Sequence, residues 1–272
     1  MRRFMKVSVF IDFLRAVTAQ RSISFEEAVK FAADLGITRV DVQEGGIDFA
    51  VQQMPLLESY GISVGSMIAR ADFLHDPSTA AADRIIESAK ALKTDNILLV
   101  PGFWQEGDVE KDCLLSSLEP MKYIVKKATD NGIAIGFEDY DGETPVSKAE
   151  NMLWYIENLP GSHCIFDTGN FVYEGEDVLE NYKTLKPYIT RQVHCKDRAL
   201  TGRPNEAPSV SKNGFESYPA AVGSGIMPMK EILTDLKESG FDGILTIELF
   251  GSKDYMEDII NSVEFLKQNN IA

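Results

Sequence analysis

Four residues able to hold a divalent cation recur at one kind of place in this sequence. Glu138 closes the apolar run Ile133-Ala134-Ile135-Gly136-Phe137, and Asp167 closes Cys164-Ile165-Phe166. His194 ends Ile189-Thr190-Arg191-Gln192-Val193, and Glu248 ends Ile244-Leu245-Thr246-Ile247. Short β-rich runs that each finish on such a side chain read as parallel strands whose C-terminal ends meet around a ligand. The intervals are 29, 27 and 54 residues, two single strand–helix units and then one unit plus a long insertion. Taken singly, each residue has an ordinary structural reading, such as a hydrogen-bonded histidine or a charge near a helix start. The recurrence at one position in four units is what points to a site. Three carboxylates and one imidazole suit Mn²⁺, Mg²⁺, Co²⁺ or Zn²⁺.

The chemistry open to such a set is proton transfer next to a carbonyl. A cation polarises the carbonyl oxygen and stabilises the enediolate, while a carboxylate takes the proton from the adjacent carbon. A second carboxylate on another face returns a proton with inverted stereochemistry or to the neighbouring carbon. Glutamates on well-separated strands suit that two-sided task.

The elements that must position these residues follow from periodicity. Met5 to Phe10 alternates as a first strand, and Ser24-Phe25-Glu26-Glu27 is a capping box that opens a helix ended by Gly36. Arg39–Val42 and Ile62–Met67 read as the second and third strands, separated by a helix from about Phe49 to Tyr60 that Pro55 interrupts. Asp76-Pro77 has the form of a cap followed by proline at the first helical position. The wholly apolar Ile97-Leu98-Leu99-Val100 reads as a strand buried on both faces. A helix from near Lys111 to Asp130 follows, with others over about Ser147–Asn158, Glu174–Tyr188, Met229–Ser239 and Asp254–Gln268. Eight strands alternating with eight helices predict an α/β fold, a (β/α)8 TIM barrel in a single domain over residues 1–272. The competing doubly wound sheet lacks its glycine-rich turn, since Phe10-Ile11-Asp12-Phe13 has no glycine. One long stretch, Arg198 to Ile226, reads as irregular and falls on the catalytic face.

Composition narrows the function classes. At 44% hydrophobic and 25% charged residues, the chain suits a globular protein with a sizeable core. No apolar run reaches the roughly 20 residues of a membrane span, so no membrane partner is expected. Met1-Arg2-Arg3-Phe4-Met5-Lys6 carries basic residues without a signal-peptide pattern, and the chain is expected to be cytoplasmic. A net charge of −15 opposes nucleic acid as a partner but allows a small anionic substrate in a locally basic pocket. Cys113, Cys164 and Cys195 show no paired spacing and read as free thiols, two of them in core strands.

On Gly136-Phe137-Glu138-Asp139, Phe166-Asp167-Thr168-Gly169-Asn170, His194-Cys195-Lys196-Asp197 and Thr246-Ile247-Glu248, the chain resembles the xylose isomerase-like TIM barrel superfamily, in its sugar phosphate isomerase/epimerase branch. The resemblance implies one divalent metal ion, Mn²⁺ first among the candidates, held by Glu138, Asp167, His194 and Glu248. It implies Glu138 and Glu248 as the acid/base pair acting on a sugar or sugar phosphate. Two positions depart from the family pattern: Asn170 stands where many epimerases have histidine, and Asp139 where they often have asparagine.

The remaining strand ends suggest a substrate-binding rim of Glu44, Arg70, Trp104, Lys196 and Arg198. Arg70 and Arg198 suit a carboxylate or phosphate, Glu44 suits sugar hydroxyls, and Phe103-Trp104 offers an aromatic wall. Gly223-Ser224-Gly225 has the form of a weak phosphate cradle or an ordinary turn. His163 begins the sixth strand at the opposite end of the barrel and reads as structural; His75 precedes a helix and reads as a cap or surface residue. The expected activity is isomerisation or epimerisation, with dehydration of a cyclic ketose-like polyol as the alternative on the same metal. A sugar-binding barrel without turnover stays open, as does self-association. Abasic-site cleavage is disfavoured, since a multi-zinc centre needs more than the three histidines present.

Overall fold

The computed structural model describes residues 5–140 and 143–272, so Met1–Phe4 of the N-terminal expectation lie outside the described residues. Eight parallel strands close into a barrel: β1 (Lys6–Phe10), β2 (Arg39–Gln43), β3 (Ser63–Arg70), β4 (Asn96–Val100), β5 (Ala134–Glu138), β6 (Ser162–Asp167), β7 (Ile189–Cys195) and β11 (Ile244–Ile247). Each pairs with its neighbour in sequence order, and β1 closes the ring on β11 through Lys6↔Ile244 to Val9↔Ile247. β4 shows why these segments become strands. Ile97, Leu98, Leu99 and Val100 are fully buried, packed on one face by the barrel interior and on the other by helices.

The helices between them are α1 (Ile11–Arg21), α2 (Phe25–Asp34), α3 (Ile47–Ser59), α4 (Ala80–Ala91), α5 (Glu110–Asp130), α6 (Ala149–Asn158), α7 (Val178–Leu185), α8 (Met229–Glu238) and α9 (Tyr255–Gln268). The capping box forms as expected: Glu27 N–H donates to Ser24 Oγ at 3.2 Å and Ser24 N–H to Glu27 Oε2 at 2.7 Å.

Four expectations are corrected. α1 follows β1 directly, so two helices rather than one precede β2. α3 runs through Pro55, because the ring sits on the exposed face, where the Val51 carbonyl it leaves without a donor can meet water. Asp76 does not cap α4; its carboxylate accepts Ser78 N–H at 2.9 Å in a local turn, which delays the helix to Ala80. The stretch 198–226 is irregular for most of its length but not throughout. It carries β8 (Asp197–Ala199), β9 (Ser209–Val210) and β10 (Glu216–Ala220), an antiparallel sheet in the order β8-β10-β9. Arg203 staples this excursion to α9 through a bidentate pair with Asp258, at 2.7 and 2.6 Å.

Among the described residues no helix is long and apolar enough to cross a membrane. All three cysteines are free and buried.

Candidate active site at the C-terminal mouth of the barrel

Strand register brings the four sequence-distant residues together. Glu138 and Asp167 end β5 and β6, and Asp167 sits directly opposite His194 of β7. Glu248 follows β11, and its N–H continues the ladder to the Cys195 carbonyl at 3.1 Å. One donor atom from each of Glu138, Asp167, His194 and Glu248 lies within 4.8 Å of every other. All four residues are buried, none more than 5% exposed.

Their contacts are those of ligands gathered around a point. His194 Nδ1 is 2.5 Å from Glu138 Oε1 and 2.8 Å from Glu248 Oε2. Despite that closeness, Nδ1, Glu138 Oε1 and Asp167 Oδ2 are buried atoms with no aligned hydrogen bond. Buried polar atoms are nearly always paired, so lone pairs crowding one space without bonding each other fit a cation between them. The donor set, one imidazole and three carboxylates, matches a borderline or hard divalent ion. Asp167 keeps its other oxygen occupied, since Oδ1 accepts Gly169 N–H at 2.7 Å.

The charges are strongly coupled. Burial raises Glu138, with His194 opposing. Burial likewise lifts Asp167 to about 8, against the attraction of Lys196. Burial pushes Glu248 up as well, yet Lys196 and His194 outweigh it and bring Glu248 down to about 2. Burial would lower His194, but Glu138 and Glu248 hold it well above the usual imidazole range. Asp139, fully buried and raised by burial and by Asp167, accepts Asp167 N–H at 2.9 Å and so braces the end of β6.

Above the cluster opens a cavity of about 310 Å³, lined by Arg70, Lys196 and Arg198 together with Glu138 and Glu248. Lys196 Nζ bridges Glu248 Oε1 and Asn170 Oδ1, both at 2.6 Å. Arg198 is buried, donates Nε–H to the Gly169 carbonyl at 2.5 Å and lies 4.3 Å over the Tyr173 ring. Arg70 donates to Tyr140 Oη at 2.6 Å. Neither arginine has a carboxylate partner among the described residues.

Two rim expectations fall elsewhere. Glu44 is not among the cavity's lining residues; strand alternation turns Gln43 inward and leaves Glu44 beside Arg84 and Ile47 in a small outer depression. Trp104 packs on the core, its backbone N–H donating to the Glu143 carbonyl at 2.7 Å, and the apolar wall is made instead by Phe10, Ile68 and Phe250. Gly223-Ser224-Gly225 does cradle an anion, but an internal one. The Asp197 carboxylate accepts N–H groups of Gly223, Gly225, Met227 and Arg198 at 2.8–3.1 Å. Gln43, Tyr140, Tyr173 and Phe250 were missed; each lies within six residues of a strand's C-terminal end, where the rule that found the other residues also applies.

His75 joins two loops, with Nδ1 at 2.7 Å from Asp72 and Nε2 at 3.0 Å from Asp108, as a surface residue would. His163 is buried in β6.

Comparison with known proteins decides the family. The model of the xylose isomerase-like TIM barrel matches residues 52–269. The chain belongs to that family. Inosose dehydratase 1 of Bacillus cereus is 25% identical over 221 residues, covering 79% of this chain and 70% of the relative. In further inosose dehydratases the match covers a smaller share of the relative, as in Bacillus thuringiensis (strain Al Hakam), where it is 62%. Among solved structures, the probable 3-DHS dehydratase from Bacillus anthracis superposes with a TM-score of 0.72 at 14% identity, covering 97% of this family member and 98% of the other. The D-allulose 3-epimerase from Methylomonas sp. in complex with D-allulose gives 0.72 at 15% identity, covering 98% of each chain. At such identities the structural likeness is one of fold. The family member described here thus has both dehydratases and epimerases among the proteins it is similar to.

Proposed function

We propose that this protein is a metal-dependent sugar or sugar-phosphate isomerase or epimerase that works by proton abstraction next to a carbonyl. The observation that carries this reading is the convergence of Glu138 and Glu248, from separate strands, on His194 Nδ1 at the floor of one cavity. Glu138, Asp167, His194 and Glu248 would hold one divalent ion, Mn²⁺ first among the candidates. When bound, that ion supplies a Lewis acid for the substrate's carbonyl oxygen.

The chain's own residues do the rest. Glu248, held ionised by the Lys196 ammonium at 2.6 Å, is the base of the pair and takes the proton from carbon. Glu138, whose carboxyl is made easier to protonate by burial, faces the site from the other side and returns a proton to the opposite face. Arg70 and Arg198 have no carboxylate partner among the described residues and bind the hydroxyls or the anionic end of the substrate. Phe10 and Phe250 meet at 4.9 Å between ring centroids and keep that wall of the cavity dry. The test is turnover of a panel of ketoses and ketose phosphates in D2O with Mn²⁺. Deuterium entering the product at the carbon beside the carbonyl supports the reading; a product that fully retains the substrate hydrogen indicates a hydride shift and refutes it.

A second reading, dehydration of a cyclic ketose-like polyol, is favoured by one observation. The Lys196 ammonium is buried beside Glu248 and Asn170, where it can protonate a departing hydroxyl. The similarity to inosose dehydratase points the same way. Loss of one water from an inosose or a 3-dehydroshikimate-like acid, seen by mass, would select it over epimerisation.

A further inference from the structure

A second group of metal-competent side chains gathers away from the barrel axis. Asp72 and His75 follow β3, Asp108 follows β4, and Cys113 stands near the start of α5. One donor atom from each of His75, Asp108 and Cys113 lies within 4.8 Å of the others. His75 Nε2 is 3.0 Å from Asp108 Oδ1 and 3.1 Å from Oδ2. Asp108 is itself fixed, since Oδ2 accepts the backbone N–H of Gln105 at 2.7 Å. Cys113 is 8% exposed and free, while the His75 and Asp108 side chains are 25% and 16% exposed, so the group has one side open to water.

An ion pair would need only the imidazole and its aspartates. The sulfur is what sets this group apart, because thiol, imidazole and carboxylate together are the donor set of Zn²⁺ or Co²⁺. The second ring nitrogen is already provided for. Nδ1 lies 2.7 Å from Asp72 Oδ1; the Gln105 amide nitrogen approaches it too, at 3.1 Å, but the carboxylate is the nearer partner and an acceptor. A carboxylate behind a histidine in this way orients the ring of a metal ligand and raises its basicity. Donors around a tetrahedral Zn²⁺ stand roughly 3.3–3.6 Å apart, given its bond lengths, so Nε2 and Asp108 need part only slightly. Shared protons hold the group together: burial and then Asp108 keep the Cys113 thiol protonated, and Asp108 and then Asp72 raise His75. A divalent cation can take the place of those protons, since ligands bind it deprotonated.

We propose that His75 Nε2, an Asp108 carboxylate oxygen and Cys113 Sγ bind a second divalent cation of the Zn²⁺ or Co²⁺ class, with water as fourth ligand and Asp72 orienting the imidazole. The site shares no residue with Glu138, Asp167, His194 and Glu248 and does not depend on their holding a metal. A cation there ties the loop after β3, which leaves the cavity at Arg70, to the loop after β4.

The experiment titrates the full chain, thiols reduced, with Co²⁺, whose bond to a thiolate absorbs in the near ultraviolet. The barrel-mouth cluster offers no sulfur, so that band reports on a cysteine site alone. Wild type should show it, and Cys113→Ala and His75→Ala should lose it. His194→Ala, which removes a ligand from the barrel mouth, should keep it. Asp72→Asn should reach the same band at saturation but need roughly 10–100-fold more Co²⁺. No band in wild type, or a band that survives Cys113→Ala, overturns the site. If Cys113→Ala fails to fold by circular dichroism, His75→Ala at the surface carries the test, and a wild-type titration midpoint in that variant overturns the site. An unchanged midpoint in Asp72→Asn overturns the orienting role of Asp72.

Discussion

Lys196 Nζ lies 2.6 Å from Glu248 Oε1 inside the cavity, and among the described residues no lysine or arginine forms an ion pair with Glu138. The two glutamates are therefore unequal although they reach the same histidine nitrogen. Glu248 is drawn down to about 2 against its burial, and Glu138 is raised.

That inequality predicts the pH behaviour of Lys196→Met. Without the ammonium, burial of Glu248 is opposed by His194 alone, and its carboxyl becomes harder to ionise. A base must be deprotonated to act, so the acid limb of the pH–rate profile should move to higher pH. If Lys196 also delivers a proton in turnover, the maximal rate should fall by about 10²–10⁴-fold. An acid limb that stays in place in steady-state profiles would remove Lys196 from control of Glu248.

Cation binding should appear as stability. A ligand at 100 times its Kd adds about 2.7 kcal/mol, which for a chain of this size is a rise in Tm of roughly 5–10 °C. Asp167→Ala and His194→Ala each remove a donor and should abolish the Mn²⁺-dependent rise in thermal melts. A variant that keeps the full rise would place the ion elsewhere.

His163 predicts acid sensitivity unrelated to the metal ligands. Burial, then the nearby charge of Arg191, depresses it from 6.5 to about 3, with only the Ile135 backbone opposing. The folded ring is neutral, whereas the unfolded ring gains a proton near its ordinary pKa. The unfolded state thus binds more protons between these values, and stability rises with pH across the window. The contribution is present above about pH 6.5 and is lost progressively as pH falls towards 3. Urea unfolding with chelator, from pH 7 down to pH 4, should show this loss in wild type and a shallower slope in His163→Phe.

The Arg203–Asp258 staple predicts how the 198–226 excursion opens. Asp258 is 3% exposed and also accepts Ser252 Oγ–H at 2.6 Å. Arg203→Met removes its guanidinium and should cost about 1.5–3 kcal/mol, the range for hydrogen bonds to charged groups. Limited proteolysis should then cut between Leu200 and Asn213 faster than in wild type, with β1–β7 still protected. Equal cleavage rates would show that the sheet β8-β10-β9 holds without the staple.

Local patterning was enough for the barrel and for its four convergent residues. Apolar runs such as Ile97–Val100 can be satisfied only between two packed layers, and their regular alternation with helices leaves a closed parallel sheet as the economical solution. Because successive strands are parallel neighbours in register, a residue at the end of each run must lie near the next, which is why Glu138, Asp167, His194 and Glu248 were legible together. Facing was not legible to the same degree. At the end of β2 a shift of one residue separates Gln43, which lines the cavity, from Glu44, which does not.

Partner choice was illegible in principle. The glycines at 223 and 225 could bind any anion, and only the tertiary structure supplies Asp197 as the one they hold. The same is true of a polar layer beneath the site. Ser8, Asp41, Gln192 and Thr246 lie up to 238 residues apart and look like ordinary polar positions in strands. Barrel closure between β1 and β11 sets them around one carboxylate and places that carboxylate under His194, because hydrogen-bond partners of buried groups are decided by packing across the fold and not by neighbours along the chain.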